Sequence, residues 1–244
     1  WYTNIAWMMY HWVVSSLGCN ATLVLYDGVP ITKKNNNFDG SLLWKVADKE
    51  KLTHLGISPK YISTLEDINE KPINKYNINS LRWLFAAGSP VAPSQFDWIY
   101  KYIKKDIGFA SISGGSEVLA CFMLGSPLHP VRRGELTVKG LGMSVEIFNS
   151  NDDSVIGVPG DLVCTEPFPS MPITFWGKDG DARYKKTYFE ERKEIWTHGD
   201  LAELKPHGSG VIYGRTDNTL NPGGVRIGTA EIYNICELFT EIED

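Results

Sequence analysis

Apolar and polar positions follow two different periods along the first 120 residues. Apolar residues spaced by three or four predict helices at residues 5–17 and in "FDGSLLWKVADKEK", "PKYISTLEDIN" and "APSQFDWIYKYIKK". Short continuous apolar runs predict buried strands at residues 21–26 and in "THLGIS", "LRWLFAAG" and "GFASIS". Because these strands are apolar throughout and alternate with helices, they predict a mostly parallel sheet with helices on both faces.

After residue 120 the apolar runs become short and are separated by Gly, Pro, Asn and Asp. The segments "GELTVKGLGMSVEIFN", "GDLVCTE", "EIWTHGDLAEL" and "SGVIYGR" predict strands, and "SNDDSVIGVPG" predicts a hairpin tip. This pattern is typical of antiparallel structure, so we expect a small antiparallel β-barrel-like subdomain. A strand pair and a helix, "TAEIYNICELFTEI", are predicted beyond it at residues 218–244.

Composition narrows the possible partners. With 244 residues, 43% of them hydrophobic, the chain is long enough to bury a core, and its net charge of −5 argues against nucleic acid as the main partner. The four cysteines form no Cys-x-x-Cys pair, so we expect reduced thiols, no structural metal and a cytoplasmic location. Polar residues such as His11 and Asn20 interrupt the apolar N-terminal stretch, so no membrane span is expected.

Two glycine-bearing turns follow predicted strands, at "AAGSP" (86–90) and "SISGGSE" (111–117). Ligands of open α/β sheets bind at the carboxyl ends of the strands. In the second turn, Gly114 and Gly115 allow close backbone approach, Ser116 offers a hydroxyl and an N–H to an anion, and Glu117 offers a hard oxygen to Mg²⁺. The alternative is that both are ordinary strand-to-helix turns.

A third candidate lies in "WTHGDLAEL", where Asp200 follows a glycine. Its carboxylate could accept both hydroxyls of a ribose. Taken alone, the residue is better explained as a turn aspartate that caps its own backbone. The chain contains no G-x-x-x-x-G-K-[ST] phosphate loop and no G-x-S-x-G nucleophile turn, so those two classes of site are not indicated.

The motifs together resemble the adenylate-forming acyl-CoA synthetases over essentially the whole chain. "AAGSP" resembles the family's first turn, "SGGSE" its aromatic-Gly-x-Thr-Glu motif, "HGD" its Thr-Gly-Asp and "GRTD" its Gly-Arg-x-Asp hinge, in that order. "LNPGGVRIGTAEIY" resembles the start of the family's small C-terminal domain. The resemblance implies an α/β part at 1–120, an antiparallel β part at 121–216, and a hinge with the truncated start of a small α+β domain at 217–244.

The resemblance also implies a nucleotide site. Gly88, Ser89 and Pro90 would line the adenine pocket. The residues that would wrap the nucleotide are Ser111, Ile112, Ser113, Gly114, Gly115 and Ser116. Of these, Ser116 would touch the α-phosphate in place of the usual Thr. Glu117 would hold Mg²⁺, and Asp200, helped by Arg215, would take the ribose hydroxyls.

Three further roles are implied near the end of the chain. Asp217 would be the hinge about which the small domain rotates between two half-reactions. Arg226 would reach toward phosphate, and the backbone near Gly223 would lie on the path of CoA. Ser116, Glu117 and Asp217 would thus be the residues closest to catalysis.

The implied reaction joins a carboxylic acid to CoA at the expense of ATP through an acyl-adenylate. The resemblance implies acetoacetate as the acid, because acetate-specific members carry bulky tryptophan side chains that close the acyl pocket at the turn where this chain has Ser113, Gly114 and Gly115. Acetate, propionate, or a non-catalytic nucleotide-binding module remain as alternatives. The family's phosphate loop is expected upstream of Trp1 and its late lysine downstream of Asp244. We therefore expect an internal piece that is inactive by itself.

Overall fold

The computed structural model describes residues 1–35, 37–216 and 236. The chain forms two compact units. The first contains Trp1–Ile112 and Gly125–Gly134, and the second contains Ser113–Leu124 and the described chain from Glu135 onward. The strand pair and helix predicted for 218–244 lie outside the described residues, apart from position 236.

A three-stranded parallel sheet forms the centre of the first unit. The helices of this unit are α1 (Met9–Ser15), α2 (Leu42–Lys49), α3 (Pro59–Asp67) and α4 (Pro93–Tyr102). Its strands are β1 (Thr32–Lys34), β2 (Asn37–Asp39), β3 (His54–Ile57), β4 (Trp83–Ala86) and β5 (Gly108–Ser111). The sheet order is β3-β4-β5, and β1 and β2 form a separate antiparallel hairpin. The predictions of α2 to α4 and of β3 to β5 are confirmed.

Local sequence explains where the helices beside this sheet begin. The Ser58 side chain accepts a hydrogen bond from the Tyr61 N–H, and Pro59 occupies the first turn of α3, so both common start signals are present. Gln95 in the first turn of α4 accepts from the Ala92 N–H at 3.0 Å. Its amide also donates to the Pro59 carbonyl oxygen at 3.2 Å, which ties α4 to α3.

The two faces of the parallel sheet are covered differently. Leu84 and Phe109 face a core that contains fully buried side chains of the helices, including Trp44 of α2 and Ile99 of α4. On the other face, Trp1 stacks on Phe85 at 6.2 Å and meets Trp12 of α1 edge-on at 6.4 Å.

Two predictions in the N-terminal stretch are wrong. Residues 21–26 are not a strand, and Leu25 there is 84% exposed. The predicted helix at 5–17 is shortened to Met9–Ser15 and continues as a 3₁₀ turn, Ser16–Cys19. An apolar run becomes a buried strand only beside a partner, and no described strand pairs with 21–26.

Antiparallel sheets dominate the second unit, as predicted. Its elements are β6 (Ser113–Gly114), β7 (Cys121–Leu124), β8 (Val138–Lys139), β9 (Val145–Phe148), β10 (Gly160–Cys164), α5 (Gly180–Phe189), β11 (Trp196–Leu204) and β12 (Gly210–Arg215). One sheet has the order β12-β11-β10-β9, and the other has the order β6-β7-β8. A bridge between Leu136 and Gly210 joins the segment before β8 to β12. The predicted hairpin between β9 and β10 is confirmed.

Helix α5 was not predicted from the sequence. Its surface is mostly polar, and only Tyr184 and Tyr188, four residues apart, bury large side chains. This spacing was the one helical signal in the segment. After the helix, Arg192 anchors the chain by donating to Asp152 at 2.5 Å and to Asp161 at 2.9 Å.

Among the residues that the structure describes, no helix has both the length and the apolar character needed to cross a bilayer.

Two leucines that the sequence places in strands should differ sharply in their contribution to stability. Leu84 is 0% exposed and Leu25 is 84% exposed. Leu84→Ala should lower the free energy of unfolding by about 2–5 kcal/mol through lost burial and a residual cavity. Leu25→Ala, the matched control, should change it by less than about 0.5 kcal/mol. Urea unfolding of the 244-residue chain measures both, and equal losses would contradict the described burial.

Candidate functional site

Two of the predicted turn segments leave the same edge of the parallel sheet. Ala86 at the end of β4 lies opposite Ser111 at the end of β5, and the Ile112 N–H donates to the Ala86 carbonyl oxygen at 3.0 Å. The turn at Gly88–Pro90 follows β4 directly. Gly88 takes a φ of +110° that favours glycine, and the position of its missing Cβ faces open space. This edge is therefore accessible to a ligand at the positions where the sequence placed the adenine pocket.

The chain enters the second unit at Ser113, within the second predicted turn. Ser113 and Gly114 pair with β7, and Ser113 is buried, whereas Gly114, Ser116 and Glu117 are exposed. A Cβ at Gly114 would lie 2.2 Å from the Ala120 carbonyl oxygen. Strand pairing alone thus requires glycine at 114, which gives this residue a second explanation beside a deeper acyl pocket.

Asp200 lies in β11, opposite Arg215 of β12. Its carboxylate is buried and accepts a hydrogen bond from Arg215 Nη1 at 3.3 Å. The same nitrogen donates to the His198 carbonyl oxygen at 2.9 Å. Since Asp200 lies within a strand and pairs with an arginine, the interpretation as a turn aspartate is wrong.

An irregularity in β11 sets the direction of these side chains. The register between β10 and β11 shifts between Asp161 and Val163, and Gly199 on the β11 side takes a φ of +81°. A Cβ at Gly199 would lie 2.9 Å from Arg215 Nη2. Glycine is therefore required both by the backbone and by the approach of the guanidinium group.

His198 is the main residue of this cluster that sequence reasoning missed. Its imidazole is buried, meets the Phe122 ring edge-on at 4.6 Å, and accepts at Nδ1 from Trp196 Nε1 at 3.4 Å. Its Nε2 lies 3.7 Å from Asp200 Oδ2. The sequence feature that could have identified His198 is the motif "HGD", in which histidine replaces the threonine of the family's Thr-Gly-Asp.

Burial and the positive charge of Arg215 lower the pKa of His198 to about 4. A hydrogen bond to the backbone of Gly114 opposes part of this shift. The ring is therefore neutral at pH 7, and it contributes a dipole rather than a charge beside Asp200.

The aromatic ring of Tyr188 in α5 lies beside the same cluster. Its ring stacks on Trp196 with centroids 3.6 Å apart. Burial raises the pKa of Tyr188, and the nearby carboxylate of Glu117 raises it further. The predicted metal-binding carboxylate thus lies within electrostatic range of a buried phenol.

Within the second unit, the structure brings together the turn that ends at Glu117, the missed His198, and the predicted pair Asp200 and Arg215. A Cβ at Gly115 would lie 2.9 Å from His198 Cε1, so the turn and the imidazole are in direct contact. The remaining predicted residues, Asp217, Gly223 and Arg226, lie outside the described residues.

The carboxylate of Glu117 fits the coordination that Mg²⁺ prefers. Mg²⁺ usually keeps several waters and binds through one or two carboxylates plus substrate phosphates. In the described part of the chain, no group of three or more His, Cys, Asp or Glu side chains could hold a metal ion. A single exposed carboxylate is compatible with an ion that arrives with a nucleotide.

The whole chain is similar to part of several curated proteins. It is 45% identical over 244 residues to the acetoacetyl-coenzyme A synthetase of Rhizobium meliloti and 40% identical over 245 residues to the acetoacetyl-CoA synthetase of Mus musculus. The chain spans only 37% and 36% of the length of these relatives. No family model matches the chain.

Solved structures give the same result for the fold. The acetoacetyl-CoA synthetase of Streptomyces lividans matches all of this chain with a TM-score of 0.89 and 35% identity, over 37% of its own length. The anthranilate CoA ligase AuaEII, in complex with anthranoyl-AMP, matches 83% of this chain with a TM-score of 0.67 and 16% identity. The described residues therefore carry part of the fold of adenylate-forming ligases.

Stability should depend on pH through His198. The unfolded residue titrates near its ordinary value of 6.5 and the folded residue near 4, so between these values only the unfolded chain binds the proton. The free energy of unfolding should then fall by about 3 kcal/mol as pH drops through this window. In His198→Gln this contribution should vanish, and in His207→Gln it should persist. Urea unfolding from pH 7 to pH 4 measures it, and parallel curves for wild type and His198→Gln would contradict the assignment.

Proposed function

We propose that this chain is a segment of an acyl-CoA synthetase that ligates acetoacetate to CoA with ATP. The observation that carries the proposal is the pairing of Asp200 with Arg215 beside His198, which contacts the turn that ends at Glu117, in a chain similar throughout to acetoacetyl-CoA synthetases. Those relatives are more than twice as long as this chain. The activity proposed is that of the longer protein, and we propose that this chain is inactive by itself.

In this proposal, different residues bind the ribose and the adenine of the nucleotide. Asp200 accepts hydrogen bonds from the two ribose hydroxyls, and Arg215 orients its buried carboxylate by donating a hydrogen bond to it. The adenine lies against the backbone of Gly88, Ser89 and Pro90. The residues that wrap the nucleotide are Ser111, Ile112, Ser113, Gly114, Gly115 and Ser116. The exposure of Gly88 and Ser116 supports these roles.

The reaction then proceeds in two displacements. The carboxylate of the acid attacks the α-phosphorus of ATP and pyrophosphate leaves; the CoA thiolate then attacks the acyl carbon and AMP leaves. Ser116 would stabilise the α-phosphate charge through its N–H and hydroxyl. Glu117 is the residue that would hold Mg²⁺, and a bound Mg²⁺ would supply positive charge to the phosphates.

The domain scheme and the remaining roles belong to the same proposal. Residues 1–120 and 121–216 would form the two parts of the large domain, and 217–244 would contain the hinge residue Asp217 and the truncated beginning of the small C-terminal domain. Arg226 contacts phosphate and the backbone near Gly223 lines the path of CoA. The partners are small molecules, ATP, CoA and acetoacetate, in the cytoplasm.

An isosteric change at Asp200 tests the ribose contact. In the full-length protein that carries this segment, Asp200→Asn should raise the KM for ATP about 10- to 100-fold, because charge-assisted hydrogen bonds are each worth roughly 1.5–3 kcal/mol. Asp161→Asn is the matched control, since this second buried carboxylate of the same sheet pairs with Arg192. It should lower stability and leave the KM unchanged. An unchanged KM in Asp200→Asn would remove Asp200 from the site.

Acid selectivity tests the substrate assignment. ATP–pyrophosphate exchange in the full-length protein, measured with acetoacetate, acetate and propionate, should give the highest kcat/KM for acetoacetate. Each methylene-sized group that the acyl pocket admits or excludes changes the ratio of kcat/KM between two acids by roughly 10–200-fold. A preference for acetate or propionate would favour the corresponding synthetase. Absence of exchange with every acid, in a folded protein that still binds ATP, would favour a non-catalytic nucleotide-binding module.

A further inference from the structure

The hydrogen bond between Trp196 and His198 fixes which ring nitrogen carries the proton. An indole N–H can only donate, and Trp196 Nε1 lies 3.4 Å from His198 Nδ1. In the neutral ring, Nδ1 must therefore accept and Nε2 must carry the hydrogen. Nε2 is thus directed away from Trp196. Its hydrogen is bonded to the backbone of Gly114, and Asp200 Oδ2 lies 3.7 Å from the same nitrogen.

The same edge of the ring touches the turn after β6. The position of a Cβ on Gly115 lies 2.9 Å from His198 Cε1 and 3.5 Å from Nε2. Gly115 is not among the glycines with positive φ, so its backbone would accept alanine. What excludes a side chain at 115 is the imidazole itself.

The Nε2–Cε1 edge of the ring therefore meets two parts of the candidate site. It contacts the turn at 113–117 and lies beside Asp200 Oδ2, and Phe122 packs edge-on against the ring at 4.6 Å. The family's Thr-Gly-Asp motif has threonine at the position of His198, and a threonine side chain is too short to fill that space. Exchange of His198 for a small residue should release the turn and the carboxylate from one another.

We propose that His198 is a positioning residue that sets the spacing between the turn at 113–117 and the carboxylate of Asp200, and that Gly115 is its matched partner. The part of this inference that concerns ATP rests on the proposed function. The part that concerns Gly115 rests on geometry alone. The two parts are tested separately.

A double-mutant cycle in the 244-residue chain tests the matched pair. Gly115→Ala should lower the melting temperature in the wild-type background, because the new methyl group meets the ring. In the His198→Thr background the same substitution should cause a clearly smaller loss, since the ring is gone. In a His207→Thr background, the control, the full loss should remain. Equal losses in all three backgrounds would overturn the pairing.

Steady-state kinetics of the full-length protein tests the positioning role. His198→Leu, which fills space but cannot donate, should raise the KM for ATP about tenfold with kcat little changed, the effect of one misplaced charge-assisted hydrogen bond. His198→Gln retains an N–H donor and should restore part of the affinity. His207→Leu should match wild type.

The outcomes separate this inference from the proposed function. If Asp200→Asn raises the KM for ATP and both His198 variants do not, the positioning role is wrong and the nucleotide site stands. If neither Asp200→Asn nor His198→Leu changes the KM for ATP, the proposed ribose contact is wrong. If His198→Gln is as impaired as His198→Leu, the ring acts through its shape rather than through its N–H, and the donor role is overturned.

Discussion

The register irregularity at Gly199 is the constraint on which the candidate site depends. β11 is paired along both edges, to β10 and β12, so its backbone has little freedom elsewhere. At Gly199 the φ of +81° and the shift against β10 redirect the strand locally. That redirection allows Arg215 to reach both the His198 carbonyl oxygen and the Asp200 carboxylate. A residue with a side chain at 199 would oppose both requirements.

Electrostatic balance explains why Asp200 and His198 are buried side by side, next to the exposed side chain of Arg215. A buried carboxylate is costly unless it is paired, and Arg215 supplies the opposite charge to Asp200. Burial lowers the pKa of His198, and the same guanidinium lowers it further because it disfavours a second cation. The cluster therefore contains one anion, one cation and one neutral dipole whose direction Trp196 fixes. Such an arrangement can present a charged, oriented acceptor to a ligand without rearranging.

The similarity to acetoacetyl-CoA synthetases is present in both sequence and fold. Sequence and fold agree across the whole chain, yet the matched part is only 37% of the Rhizobium meliloti relative. The first unit contains the sheet edge at Gly88 and Ile112 and has its own buried core. The second unit contains the cluster around Asp200 and has a separate buried core.

The sequence by itself determined the order of helices and strands in β3 to α4, because continuous apolar runs and start signals such as Ser58-Pro59 act locally. It also placed Asp200, Arg215 and Glu117 among the candidates by motif. Only the tertiary structure decided that Leu25 is exposed, that α5 forms and buries two tyrosine side chains, and that His198 lies against Gly115. These outcomes depend on which distant segments pack together, and residues more than eighty positions apart carry no local pattern of their contact.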